Sequence, residues 1–215
     1  DAQIGLSDKS RLESVEIKET GSNDNITLNF TYDNKNGNLK TIKQNDQEIV
    51  TQIVYDEENQ DEENQLEKWE LQDGKEIIFN YDAKNRIDSI SKNDENKTLE
   101  KILIFEYDEN DKLEKIEYRN KIGASIGMTT YSYDDKNLNQ LKSTKYTEYN
   151  NYEKESQYSY DNKGNIKKGT LTIKKSDQET VDKIIEYQWD KGNFNLGKGV
   201  PQEWFFTEID QLIDL

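Results

Sequence analysis

Carboxylates and tyrosines are the residues dense enough in this chain to do chemistry. Histidine and cysteine are both absent, which removes the usual general base, the commonest zinc ligand and every thiolate. Seven aspartates directly follow an aromatic: Tyr32-Asp33, Tyr55-Asp56, Tyr81-Asp82, Tyr107-Asp108, Tyr133-Asp134, Tyr160-Asp161 and Trp189-Asp190. Two carboxylates flanking a sugar could cleave a glycosidic bond. These seven, however, recur at intervals of 23, 26, 26, 26, 27 and 29 residues. A residue copied so evenly serves the scaffold, so no catalytic residue is assigned. Asp108-Glu109-Asn110-Asp111-Lys112 and the loop from Asp56 to Glu63 offer oxygen ligands for calcium. Neither has the alternating acid spacing with a central Gly that a calcium loop uses, so no metal and no cofactor is expected. Four aromatics remain as candidate ligand-binding residues. Tyr146, Tyr149 and Tyr152 cluster in and around an outer turn, and Trp69 stands beside the long acidic loop. Such rings could stack on a sugar. Cross-strand packing against neighbouring tyrosines is the competing reading, and the sequence favours it.

The elements that must position these residues repeat with them. Ile77, Phe79 and Tyr81 alternate with Glu76, Ile78 and Asn80, the period of a half-buried strand. Leu28/Phe30/Tyr32, Leu103/Phe105/Tyr107, Tyr131/Tyr133, Tyr158/Tyr160 and Ile185/Tyr187/Trp189 follow the same rule. Four residues past each aromatic stand Asn36, Asn59, Asn85, Asp111, Asn137, Gly164 and Asn193, all types that tolerate a left-handed backbone. This predicts one tight hairpin made seven times, a type I turn closed by a residue with positive φ. The returning strand carries apolar pairs three apart: Leu39/Ile42, Ile87/Ile90, Leu113/Ile116 and Leu138/Leu141, with Leu12/Val15 at the start. Three apart means opposite faces of a regular strand, so a β-bulge between the two is expected.

Seven hairpins make an all-β antiparallel meander of about fourteen strands, curled into a soluble barrel or half-barrel. Closed, it would be roughly 28 Å across, too wide for its own side chains to fill. The C-terminus offers a plug. Pro201 suits a first helical turn, and Trp204, Phe205, Ile209, Leu212 and Ile213 follow at helical spacing. The expected organisation is one repeat domain over residues 1–215, with hairpins over 10–196 and a short C-terminal helix over 200–215 packed on the sheet.

Composition limits the partners. Of the residues, 31% are hydrophobic and 34% charged, with 29 Lys plus Arg against 45 Asp plus Glu, or −16. Nucleic acid needs clustered cations, so it is a poor partner, as is an anionic membrane. No run of apolar residues could cross a membrane as a helix. A lipid-facing barrel is excluded too, because Asn29, Thr31, Glu106, Ser132 and Ser159 alternate with the aromatics. Asp1-Ala2-Gln3 shows neither a basic start nor an apolar core, so no secretory leader is visible.

The Tyr-Asp pair, the Asn- or Gly-bearing turn and the apolar residue after it resemble the YD repeats of Rhs and teneurin proteins. Tyr160-Asp161-Asn162-Lys163-Gly164-Asn165-Ile166 is the best copy, whereas the family's Arg after the turn survives only at Arg86. Size, Asn/Lys/Glu-rich composition and the long meander are more similar to a family of uncharacterised Bacteroidetes lipoproteins with a porin-like fold. The resemblance covers roughly residues 10 to 190. It implies a cell-envelope or secreted location, as a surface or periplasmic lipoprotein whose lipid-bearing Cys lies outside this sequence. The function expected is a non-catalytic envelope module that binds an extracellular glycan, peptide or protein. The alternative is a structural or partner-docking scaffold with no small ligand.

Overall fold

In a computed structural model, fourteen antiparallel strands run in chain order and close on themselves. The structure describes residues 10–35, 37–56, 65–134, 136, 140–148, 152–175, 178–191 and 200–208. The strands are β1 (Ser10–Glu19), β2 (Asn25–Tyr32), β3 (Leu39–Gln44), β4 (Gln47–Tyr55), β5 (Leu66–Leu71), β6 (Glu76–Tyr81) and β7 (Ile87–Asn93), then β8 (Leu99–Tyr107), β9 (Leu113–Asn120), β10 (Ser125–Tyr133), β11 (Leu141–Glu148), β12 (Glu153–Tyr160), β13 (Ile166–Lys175) and β14 (Gln178–Lys191). One helix, α1 (Gln202–Thr207), follows. β1 pairs with both β2 and β14, so the sheet is a closed barrel and not a half-barrel.

The expected bulges are present in every returning strand. Register slips by one residue at Glu13, Lys40, Glu67, Asp88, Glu114, Lys142 and Lys167. All seven are charged and exposed. The slip returns both members of each apolar pair to the lumen, so Leu12/Val15, Leu39/Ile42, Ile87/Ile90 and Leu113/Ile116 are all buried. In β11 the pair is Leu141/Thr144 rather than Leu138/Leu141; Leu138 lies outside the described residues. Leu66/Trp69 and Ile166/Gly169 complete the series, so the second member ranges from Trp to Gly.

The hairpin turns behave as their chemistry requires. Asn85, Asp111 and Gly164 have φ of 61°, 61° and 86°. Asn36, Asn59, Asn137 and Asn193 lie outside the described residues. In the first hairpin the described left-handed residue is Gly37, at φ 74°, because that turn is one residue longer and closes from Asp33 N–H to the Asn38 carbonyl. Asp33, Asp82, Asp108, Asp134 and Asp161 each anchor their turn. Asp82 Oδ1, for example, accepts the N–H groups of Lys84 at 2.8 Å and Arg86 at 2.9 Å. Asp108 and Asp161 do the same. These carboxylates are occupied as turn acceptors.

The aromatic of each pair has a second role that alternation alone does not reveal. Its ring faces the lumen and its polar hydrogen is donated to the preceding hairpin. Tyr32, Tyr55, Tyr81, Tyr107, Tyr133 and Tyr160 donate their hydroxyls to the carbonyls of Leu12, Leu39, Leu66, Ile87, Leu113 and Leu141. Trp189 Nε1 donates to the Ile166 carbonyl at 2.8 Å. Each acceptor belongs to the residue just before a bulge, where the ladder is interrupted. Phenylalanine could fill the space but would strand a buried carbonyl. Tyr107→Phe is therefore expected to destabilise the barrel by about 1–3 kcal/mol, with Phe105→Leu as a packing control. A Tyr107→Phe protein that unfolds at the same denaturant midpoint as wild type would show that the bond contributes nothing.

Within the lumen, Phe30, Phe79, Phe105 and Tyr187 are buried, with Tyr81, Tyr107, Tyr133 and Tyr160 packed against them. The helix lies among these rings. Trp204, Phe205 and Phe206 are each 0% exposed. Three consecutive buried residues mean that α1 is enclosed on all sides, unlike the one-faced amphipathic helix expected. It is also shorter, and Pro201 precedes it as N-cap instead of sitting in its first turn. Ile209, Leu212 and Ile213 lie outside the described residues. Among the described residues no helix is long and apolar enough to cross a membrane. The outer face of the barrel carries ion pairs, across strands between Lys18 and Glu186, Lys68 and Glu76, Lys115 and Glu106, and Lys145 and Glu153, and within β5 between Lys68 and Glu70.

Candidate ligand-binding site

The barrel has two unlike ends. The Tyr-Asp end carries the seven anchored aromatics. The helix occupies this half, because Glu203 lies in the electrostatic field of Tyr107, Tyr133 and Tyr160. Glu208, past the last turn, reaches Tyr118 and Tyr131 deeper in the lumen. The opposite end is where the candidate tyrosines gather.

Strand register places them. Residues directly opposite in an antiparallel ladder share a face. Ile116 is in the core and stands opposite Thr129; Thr129 stands opposite Tyr146, and Tyr146 opposite Lys154. All four therefore face the lumen. One step further out, Tyr118 stands opposite Gly127 and Gly127 opposite Glu148. Glu148 N–H then donates to the Tyr152 carbonyl at 3.0 Å, closing the hairpin. Lys101 joins the group because it is two residues from Leu103, whose partner is Tyr118.

These side chains form one cluster. The rings of Tyr118 and Tyr146 meet edge to face, with centroids 5.6 Å apart. Tyr146 lies flat over Gly127; a Cβ there would stand 2.6 Å from its hydroxyl oxygen. Any residue but glycine at 127 would push the ring away. Tyr146 donates its hydroxyl to Glu148 at 3.2 Å. The Lys101 ammonium lies 5.6 Å from the Tyr118 ring centre and that of Lys154 lies 5.5 Å from the Tyr152 ring. Burial, aided by Glu148, pushes the Tyr146 phenol far above its usual range, and burial with Glu208 does the same for Tyr118. Both rings therefore stay neutral at any physiological pH. Below them runs a layer of hydroxyls: Tyr118 to Thr129 at 3.0 Å, Thr144 to Tyr158 at 3.2 Å and Tyr131 to Thr207 at 3.1 Å.

The cluster brings together the half-buried rings of Tyr146 and Tyr152, the ammonium groups of Lys101 and Lys154 and the carboxylate of Glu148. Of the residues expected from sequence, Tyr146 and Tyr152 lie here together. Tyr149 lies outside the described residues. Trp69 is 0% exposed and packs on Trp204 and Phe79; it supports the plug and presents no face to a ligand, which corrects its expected role. Lys101, Tyr118, Gly127 and Lys154 were missed. A signal for them was present, since Lys101-Leu103-Phe105-Tyr107 and Lys154-Ser156-Tyr158-Tyr160 continue the alternation that marks the inner face.

No group of three or more acidic side chains among the described residues could hold a metal ion. In the fourth hairpin Asp108 is held by turn N–H groups, while Asp111 pairs with Lys84 and Arg86.

No protein-family model matches the chain, and no curated protein matches it. Solved structures do. A porin-like protein from Bacteroides vulgatus superposes with a TM-score of 0.51 at 11% identity, over 84% of this chain and 99% of that one. A porin-like protein from Bacteroides uniformis gives 0.45 at 13% identity, over 83% and 98%. The Photorhabdus luminescens Tc holotoxin pore gives 0.36 at 17% identity, over 74% of this chain and 10% of that chain. The first of these shares the fold with the present barrel.

Proposed function

We propose that this protein is a non-catalytic binding module of the bacterial cell envelope that takes an extracellular glycan or peptide at the end of the barrel opposite the Tyr-Asp pairs. The observation that carries this reading is the inward-facing set Tyr146, Tyr152, Lys101 and Lys154. The Tyr146 ring packs edge to face on Tyr118 yet stays only half-buried, and Gly127 is shaped to admit it. The envelope location rests on the likeness to YD repeats and to lipoproteins of porin-like fold, with which a Bacteroides structural neighbour agrees. A transmembrane channel is disfavoured, since the outer face described above carries ion pairs where lipid would require an apolar band.

The test is binding to arrayed bacterial and host glycans and to arrayed peptides. Tyr146→Ala should weaken the strongest signal at least tenfold while leaving the melting temperature within a few degrees. If the variant binds every hit as wild type does, the mouth is not the site.

One feature favours the scaffold reading. Ile122, at the tip of the β9–β10 turn, is 80% exposed, and Ile126 beside it 40%. Exposed isoleucines on a rim suit a protein partner. Ile122→Asp would abolish capture of such a partner and leave glycan binding unchanged.

A further inference from the structure

We propose that the ligand of this mouth is a neutral saccharide, one pyranose ring stacked on Tyr146 with its hydroxyls shared between Glu148 and Lys154. This rests on the binding reading above and narrows it to one chemistry.

The way Tyr146 is held is the first observation. One face of its ring lies on Gly127, where a Cβ would stand 2.6 Å from the hydroxyl oxygen. Tyr118 meets the ring edge to face, and no other ring or cation touches it among the described residues. The ring is half-buried, and its second face looks away from the Gly127 wall into the lumen. An electron-rich aromatic face of this kind attracts the polarised C–H bonds on the flat side of a sugar ring.

The flanking charges are the second observation. Glu148 lies two residues from Tyr146 on β11, and Lys154 stands directly opposite Tyr146 on β12. Both share its face, and both are half-buried. Neither forms an ion pair among the described residues. The outer faces of the neighbouring strands behave otherwise: Lys145 pairs with Glu153 at 2.9 Å and Lys174 with Glu155 at 3.6 Å. Inside, Glu148 Oε1 accepts the Tyr146 hydroxyl, which fixes the carboxylate and leaves Oε2 to a ligand. Lys154 rests 5.5 Å from the Tyr152 ring centre and keeps N–H groups to donate.

This arrangement selects the ligand's charge and size. One carboxylate and one ammonium sum to zero. An anion drawn by Lys154 meets Glu148, and a cation drawn by Glu148 meets Lys154. A sugar uses both, since its hydroxyls donate to the carboxylate and accept from the ammonium. The Tyr146 Cβ lies about 5 Å from that of Lys154 and roughly 7 Å from that of Glu148, so one pyranose reaches all three side chains. A saccharide is favoured over a peptide because the sheet is closed. With every strand paired on both sides, there is no edge onto which a peptide could add as a strand.

The test titrates the whole chain calorimetrically with cellotetraose, maltotetraose, mannotetraose and chitotetraose. Two charged counterparts, a tetragalacturonate and fully deacetylated chitotetraose, accompany them. At least one neutral probe should bind more tightly than either charged one. Its affinity should change by less than about twofold as salt rises, because no net charge is neutralised. Tyr146→Ala should weaken that binding by about tenfold or more, as should the Glu148→Ala/Lys154→Ala double variant. Gly127→Ala leaves every ligand-facing group in place but displaces the Tyr146 ring, so it should match Tyr146→Ala. Tyr146→Phe keeps the ring and should bind within about threefold of wild type. Melting temperatures of Tyr146→Phe and the double variant check that the barrel is intact. Failure of all four neutral probes, or an unaffected double variant, would overturn the neutral-sugar assignment. Tighter binding of a charged probe that Tyr146→Ala abolishes would also overturn it and leave the mouth standing as the site. If a tripeptide binds through Tyr146 and no saccharide does, the ligand is a peptide and the saccharide class is wrong. Saccharide binding untouched by Tyr146→Ala would remove the mouth itself.

Discussion

Replacing Trp204 with alanine is expected to lower the unfolding free energy by about 3–5 kcal/mol, the usual range for truncating a buried aromatic. The reason lies in what the indole touches. Its ring centre lies 6.2 Å from that of Trp69, 6.0 Å from Phe79 and 6.3 Å from Phe105. These rings come from three different strands, β5, β6 and β8. Trp204 is thus the residue through which the plug ties one wall of the barrel together, and such aromatic pairs contribute beyond their buried area. A barrel of fourteen strands cannot collapse onto the space an alanine leaves, so the void persists. Chemical denaturation of the variant checks the magnitude, and the intact protein should show the blue-shifted emission of buried indole. Removing residues 200–215 should go further, exposing the apolar lumen wall, lowering the melting temperature and promoting aggregation. A Trp204→Ala protein within 1 kcal/mol of wild type, or a truncated chain with unchanged melting, would mean that the barrel holds itself closed without its plug.

Replacing Glu203 with glutamine is expected to stabilise the protein above neutral pH. Glu203 is 9% exposed on the buried helix. Burial raises its pKa from the ordinary 4.5 to about 7, against the opposing pull of a backbone N–H and the Lys112 ammonium. Tyr107, Tyr133 and Tyr160 face it from β8, β10 and β12. Their phenols are held neutral by burial, so they supply no countercharge. The sign follows from proton linkage. Between the unfolded and folded pKa values the folded chain binds more protons, so stability falls as pH rises through that window. It is highest below about 4.5, declines to about 7 and then stays level. The shift corresponds to ~3 kcal/mol at 1.36 kcal/mol per unit. Several surface carboxylates, among them Asp82, Asp111 and Asp161, are shifted downwards by their partners. They lose stability only at more acid pH, which leaves pH 5–7 to Glu203. Denaturation midpoints across pH 5–8 should fall for wild type and stay flat for Glu203→Gln. Parallel profiles for the two proteins would show that Glu203 reaches solvent.

Much of the architecture was legible because it is local and repeated. Alternation of Phe79 and Tyr81 with Ile78 and Asn80 is a property of strand geometry, and it identified the lumen face. The left-handed positions at Asn85, Asp111 and Gly164 follow from turn sterics within five residues. The three-residue spacing of Ile87 and Ile90 required a bulge, and one is present at Asp88. The candidate site was half legible. Tyr146 and Tyr152 stood out because aromatics near an outer turn have little to pack on. Lys101 and Lys154 did not, although they obey the same alternation, because a lysine is ordinarily read as solvent-facing.

The amino-acid sequence by itself determined the repeat, the hairpin, the bulge and the face of the aromatics that precede each aspartate, since each depends on φ, ψ and the period-two pleat of a few neighbouring residues. Tertiary structure alone decided whether the sheet closes, which residues fill it and where its polar groups find partners. Closure joins β1 to β14, some 170 residues apart in sequence, and depends on a balance between strand tilt and lumen filling that no single hairpin contains. That balance buried Trp69 and Phe79 against the plug, turned each Tyr-Asp tyrosine into a donor for the preceding hairpin, and placed Tyr146 and Lys154 side by side on the lumen wall.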